Sequence, residues 1–369
     1  MATPVHEAAR RVETSAETLV DCDVHNVIAD EALSRRLPLR WRQYRERYGA
    51  RDHTFAGMFP RMYPFAARSD SWPPSGLPPG GDLEFMREQL LDQWSISCAV
   101  LFPFGLVGEP NAAFAAACAR AQNDCQLEDW LAGDDRLRSS LTLGWEDAPS
   151  AVAEIERMGA HPGFVQVAAF CRSPALLGNQ RYWPILEAAA DAGLPVAIHF
   201  GGWSTGFHTG SGRPTFYSEE KGGIATAAQD QLTSLVCNGV FERFPKLRVI
   251  SVENGFAWLP ALMWRLDRAW QKLAVDVPEL TRAPSEYIRE HVWVTTQPIE
   301  EPPTDAQFVG LLNQMGMDER IMFSTDYPHW DFDSPARTLP RAVAPELRAK
   351  IMGGNAIDLY RLEIETADA

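Results

Sequence analysis

The chain of 369 residues has only four lysines, Lys221, Lys246, Lys272 and Lys350, and its net charge is −15. So acidic a balance excludes partners that need clustered basic side chains, and it sets aside nucleic acid and anionic membrane surfaces. No run approaches the roughly 18 to 20 apolar residues that a membrane span requires. The first 18 residues carry Glu7, Glu13 and Glu17 and lack the apolar centre of a signal peptide. They read as a leader. The six cysteines contain no C-x-x-C pair, which removes the common zinc-ribbon and redox motifs. Cys118 and Cys125 fall seven apart on one face of an expected helix, as packed thiols and not as a disulfide. Also missing are His-x-x-x-His, Gly-x-Ser-x-Gly and a phosphate-cradling glycine loop. What remains is a cytoplasmic protein with a small-molecule substrate.

What is present is rhythm. Apolar runs near 20–25, 97–103, 138–143, 163–169, 194–199, 247–252, 291–295 and 320–325 alternate with helical periods over 111–131, 148–158, 181–192, 256–273 and 345–362. Strand and helix in alternation predict βα units and a parallel sheet, and eight such units predict a (β/α)₈ TIM barrel. We read a single barrel domain over 19–362, followed by a short tail at 363–369. Two stretches break the pattern. The insertion 38–82 is aromatic and ends in the stiff run from Trp72 to Gly81; placed after strand 1, it is a candidate lid. The segment 201–223 after strand 5 is glycine-rich and holds His208, Arg213 and Tyr217.

Four strand ends carry acid or imidazole groups: Asp21-Cys22-Asp23-Val24-His25, then His199, Glu253 and Asp326. Parallel strands of a barrel bring their carboxyl ends to one face, where such enzymes keep their chemistry. Side chains two apart on a strand leave the same face, so Asp23 and His25 can share one ion, while Cys22 and Val24 are expected to point into the helix layer. With His199 and Asp326 they offer two nitrogens and two oxygens, a set that suits Zn²⁺ or Mn²⁺. Strand 4, from Gly163 to Ala169, has no lysine to bridge a second ion, so one divalent metal is expected. Glu253, crowded by acidic ligands, is a candidate general acid or base, and His329, just past strand 8, is a further catalytic candidate that can face the pocket or anchor its loop. Arg172 and His208 are candidates for binding substrate, since a guanidinium matches a carboxylate in shape.

These residues carry a family resemblance. Asp21-x-Asp23-x-His25, Ala197-Ile198-His199, Asn254-Gly255 leading to Trp258-Leu259-Pro260, and Ser324-Thr325-Asp326-Tyr327-Pro328 resemble the amidohydrolase superfamily, in the branch of aminocarboxymuconate-semialdehyde decarboxylase and the resorcylate decarboxylases. The resemblance spans about residues 19 to 362. It implies that Asp326 doubles as ligand and proton shuttle, and that the chain pairs as a homodimer. Two departures stand out: Asp23-x-His25 replaces the frequent His-x-His, and Glu253 stands where strand 6 commonly ends in histidine. The leading function is a metal-dependent nonoxidative decarboxylase (a carboxy-lyase) of a small aromatic or unsaturated carboxylic acid. A single-metal hydrolase of an amide, lactone or ester is the alternative, and a catalytically degenerate barrel acting as a binding subunit is the second.

Overall fold

A computed structural model describes residues 18–49, 62–103, 109, 111–202, 212 and 214–364. The apolar runs become eight parallel strands hydrogen-bonded in chain order: β1 (Leu19–Val24), β2 (Ile96–Leu101), β3 (Leu137–Leu141), β4 (Phe164–Phe170), β5 (Val196–His199), β6 (Val249–Val252), β7 (Val292–Thr295) and β8 (Ile321–Met322). The ring closes between its first and last strands. Cys22 N donates to Phe323 O at 3.0 Å, Asp326 N to Asp23 O at 3.0 Å, and His25 N to Tyr327 O at 2.7 Å. The expected strand 8 is cut short because polar side chains take over from the ladder. Ser324 N donates to Thr296 Oγ1 and Thr325 N to Asp21 Oδ1.

The helices cover the sheet as their periodicity requires. In the helix Ala148–Met158, Ala151, Glu154, Ile155 and Met158 form the buried stripe at i, i+3, i+4 and i+7. Asp147 caps its start, accepting from Ser150 N. Burying Ile155 and Met158 contributes roughly 1.5–3 kcal/mol each. All six cysteines are free thiols. No helix among the described residues is long and apolar enough to cross a membrane.

A second, smaller core fills the barrel itself. Val20, Cys22, Cys98, Val165, Ala197, Ile250, Trp293 and Met322 meet there with Tyr360 of the helix Asn355–Tyr360. That helix lies at the amino-terminal end of the strands, where Arg248 Nη1 donates to Leu359 O. Cys22 therefore faces inward, against the simple alternation expected of β1, while Val24 packs outward as expected. The reason is a register shift in the β1–β2 ladder between Asp21 and Val24, which turns Cys22 and Asp23 inward in succession.

The first insertion packs over the carboxyl ends of β1 and β8. Trp330 N donates to Ala66 O at 2.8 Å and Arg68 N to Pro328 O at 3.0 Å. Gly80 lies so close to β1 that a Cβ there would stand 2.6 Å from His25 O, and its φ of +75° also favours glycine. Residues 50–61 of that insertion lie outside the described residues.

Candidate metal centre

Each end of the metal set is delivered by a strand terminus held in a fixed pose. His25 Nδ1 meets Phe102 O at 2.7 Å and His199 Nδ1 meets Phe200 O at 2.5 Å. A ring whose Nδ1–H donates to a carbonyl directs Nε2 to a metal. The two Nε2 atoms face each other at 3.2 Å. His25 Nε2 is 3.0 Å from Asp326 Oδ1 and 3.5 Å from Asp23 Oδ1, and His199 Nε2 is 3.5 Å from Asp23 Oδ2. Two ligand atoms about 2.1 Å from a common ion, at about 90–110° to each other, stand about 3.0–3.4 Å apart. The observed spacings of 3.0–3.5 Å are close to that range, so these residues could hold one ion.

Burial sharpens the point. Asp23 and Asp326 are fully buried. Neither oxygen of Asp23 accepts a hydrogen bond, and nor does Asp326 Oδ2. Leaving a buried carboxylate oxygen unsatisfied costs about 1–3 kcal/mol or more, so such atoms imply a cation. His199 responds to the same field. Burial works against its charged form, but Asp23 and Glu253 outweigh this and push it up to about 9. Asp326 goes the other way: burial opposes its ionisation, yet His329 and His25 hold it well below the carboxylate range.

The backbone bends sharply at two of the strand ends. Glu253 has φ +54° and Asp326 φ +59°, in the left-handed region that side-chain-bearing residues seldom adopt. Such strain gathers at functional sites, where the surroundings fix it. Asp326 is pinned by Asp23 O and by His329 Nδ1, 2.6 Å from its Oδ1. The buried Glu253 lies 3.5 Å from His199 Nε2 through Oε2 and accepts from Lys221 Nζ at 2.9 Å through Oε1. Burial and then Asp326 raise its carboxyl, against the opposing pull of Lys221 and His199.

The amidohydrolase family model matches residues 20–362. This chain belongs to the amidohydrolase family. Among curated relatives of this amidohydrolase, γ-resorcylate decarboxylase of Rhodococcus jostii (strain RHA1) is 28% identical over 301 residues, covering 76% of this chain and 88% of that protein. Among solved structures, 5-carboxyvanillate decarboxylase from Sphingomonas paucimobilis superposes with a TM-score of 0.69 at 21% identity, covering 94% of this chain and 100% of the other. A dihydroxybenzoic acid decarboxylase from Polaromonas sp. JS666, with bound manganese and the inhibitor 2-nitroresorcinol, gives 0.63 at 20% identity, covering 94% and 97%. These superpositions agree with the barrel described above.

The remaining expected site residues of this amidohydrolase fall differently. Arg172 turns to Glu220, with Nη2 2.9 Å from Oε1, and its guanidinium lies 5.2 Å from the Phe200 ring centroid. His208 lies outside the described residues. Two groups went unread in the sequence. Lys221, on the helix Tyr217–Gly222, bonds both Glu253 and Asp331, each at 2.9 Å. The available signal was a rare lysine in the irregular segment after β5. For Asp331 it was a position only five residues beyond Asp326, on the same strand-end loop.

Proposed function

We propose that this protein is a metal-dependent nonoxidative decarboxylase of an aromatic or unsaturated carboxylic acid that bears a hydroxyl or keto oxygen next to the carboxylate. The observation that carries this is the buried set Asp23, His25, His199 and Asp326, spaced 3.0–3.5 Å at its closest atoms, in a chain whose relatives include γ-resorcylate decarboxylases. Those four residues would hold one Zn²⁺ or Mn²⁺ ion. When bound, the ion supplies a Lewis-acid anchor for the substrate oxygens and stabilises the negative charge left as the carbon–carbon bond breaks.

The chain's own groups do the rest. As CO₂ leaves, the bonding electron pair stays on carbon and a proton must arrive there. In this reading Glu253 supplies it. Lys221 holds Oε1, which leaves Oε2, the oxygen that faces His199, to carry that proton. Asp326 accepts a proton from the substrate hydroxyl and returns it, and His329 fixes its orientation through Oδ1. The described part of the insertion, 62–82, would act as a wall over this site, a reading supported by the backbone bridge between Ala67 and His329. In this reading the compartment is the cytoplasm and the assembly a homodimer, the latter to be checked by sedimentation.

The decisive experiment counts metal per chain on protein purified without added metal, with His199→Ala as control, and then screens hydroxybenzoates for CO₂ release. One ion in the wild type, lost in the variant, together with CO₂ release is the expected result. Metal with hydrolysis of amides or lactones and no CO₂ would replace decarboxylation by hydrolysis. No metal even after reconstitution would end the enzyme reading.

A further inference from the structure

One metal does not account for all the acids at this mouth. Glu253, Asp326 and Asp331 each place a carboxylate oxygen within 4.8 Å of the others'. A cation already stands among them. Lys221 Nζ is 2.9 Å from Glu253 Oε1 and 2.9 Å from Asp331 Oδ2. Phe200, Tyr217 and Trp330 surround it, their ring centroids 5.2, 5.8 and 6.0 Å from the ammonium. Aromatic faces attract a cation at that range, and more so out of water. Meanwhile Asp326 Oδ2 is fully buried and accepts no hydrogen bond, and Asp331 Oδ1 is also buried without one.

We propose that Lys221 fills a second cation position, built by Glu253, Asp326 and Asp331, and thereby limits this centre to one divalent metal. The inference rests on the primary metal site proposed above. An all-oxygen site of this kind suits a hard ion such as Mg²⁺ or Mn²⁺. The ammonium sits 2.9 Å from its acids, whereas an ion of that size needs about 2.0–2.1 Å to oxygen. Closing that difference, less than about 1 Å on each side, lies within the reach of flexible carboxylates. Asp326 would then serve both ions, as a shared ligand does where two metals lie about 3.5–4 Å apart. In the native protein the ammonium prevents this. It holds Glu253 by one oxygen as a proton-handling group and keeps it from becoming a metal ligand.

The test is a metal count and needs no turnover. Metal-free protein is titrated with Mn²⁺ into the millimolar range, bound ions are counted, and the electron paramagnetic resonance spectrum is examined for coupling between neighbouring ions. The wild type should saturate at one equivalent. Lys221→Met should take up a second equivalent with a coupled signal, Lys221→Arg should remain at one, and adding Glu253→Gln and Asp331→Asn to Lys221→Met should restore one. Lys221→Gln repeats the experiment with a polar side chain should the Met variant not fold. A second equivalent in the wild type would overturn the proposal, as would one equivalent in well-folded Lys221→Met. No metal in the wild type would instead remove the primary site, and this proposal with it.

Discussion

Asp21 and Asp23 are two residues apart and both fully buried, yet their surroundings differ, and the proposal above gives Asp23 alone to the metal. Asp21 accepts from Thr325 Oγ1 at 2.6 Å, Thr325 N at 2.9 Å and Asp23 N at 3.3 Å, so it ties β1 to the segment that carries Asp326. Asp21→Ala would strand three buried donors at about 1–3 kcal/mol each. The low end of that sum applies, because burying the carboxyl itself is costly, and a net loss of about 3–5 kcal/mol is expected. For a chain of this length, at about 2.1 cal/mol/K per residue, that lowers Tm by about 4–6 °C. Thermal melts with and without saturating Mn²⁺ should show the same drop, and the variant should still bind one equivalent. Asp23→Ala should do the reverse, losing metal at little cost to the metal-free fold.

pH adds an independent arm. Burial pushes the Asp21 carboxyl from 3.8 up to about 7, against the hydrogen bonds from Thr325. A raised pKa means the folded chain holds this proton more tightly than the unfolded one. Its stabilising contribution is therefore complete below about pH 4 and is lost as pH rises through 7. Three units at 1.36 kcal/mol each amount to about 4 kcal/mol. Asp21→Asn does not titrate, so the wild type should lose stability relative to it by about that amount over this window. Loss of metal in Asp21→Ala with a stability change under about 1 kcal/mol would refute the assignment, as would parallel pH curves for wild type and Asp21→Asn.

Other variants separate the remaining roles. Asp326→Asn should abolish turnover and leave the circular dichroism spectrum intact; near-normal kcat would take Asp326 out of the mechanism. Glu253→Gln should lower kcat by about 10²–10⁴, the range of general acid catalysis, while metal content holds. Equal losses of both would make Glu253 a ligand or a structural support. Arg172→Met removes one charged hydrogen-bond partner of the buried Glu220, should cost about 1.5–3 kcal/mol, and should change KM by less than twofold. A large rise in KM at unchanged Tm would return Arg172 to the substrate.

The barrel was legible because a buried parallel strand cannot hide its composition. Val196-Ala197-Ile198 and Val249-Ile250-Ser251-Val252 are apolar on both faces, and the helices between them repeat their stripes. Position along a strand also announced Asp23, His25, His199 and Asp326, since a parallel barrel turns every strand end toward one face. What lay beyond the strands was harder to read. Arg172 lies just past β4 and Lys221 on a short helix in the segment after β5, and nothing in the local sequence says that Arg172 turns to Glu220 while Lys221 turns to Glu253 and Asp331. The inward turn of Cys22 was equally hidden, because a bulge is a property of two paired strands.

The sequence by itself thus determined the scaffold, through periodicities of two and 3.6 residues that local chemistry enforces, the family, through its motifs, and which acids and imidazoles stand at the strand ends. Only the tertiary structure decided the charge partners. Which acid faces which cation depends on loops whose ends are fixed by different strands, and on distances of a few ångströms over which Coulomb energies change steeply in a buried site.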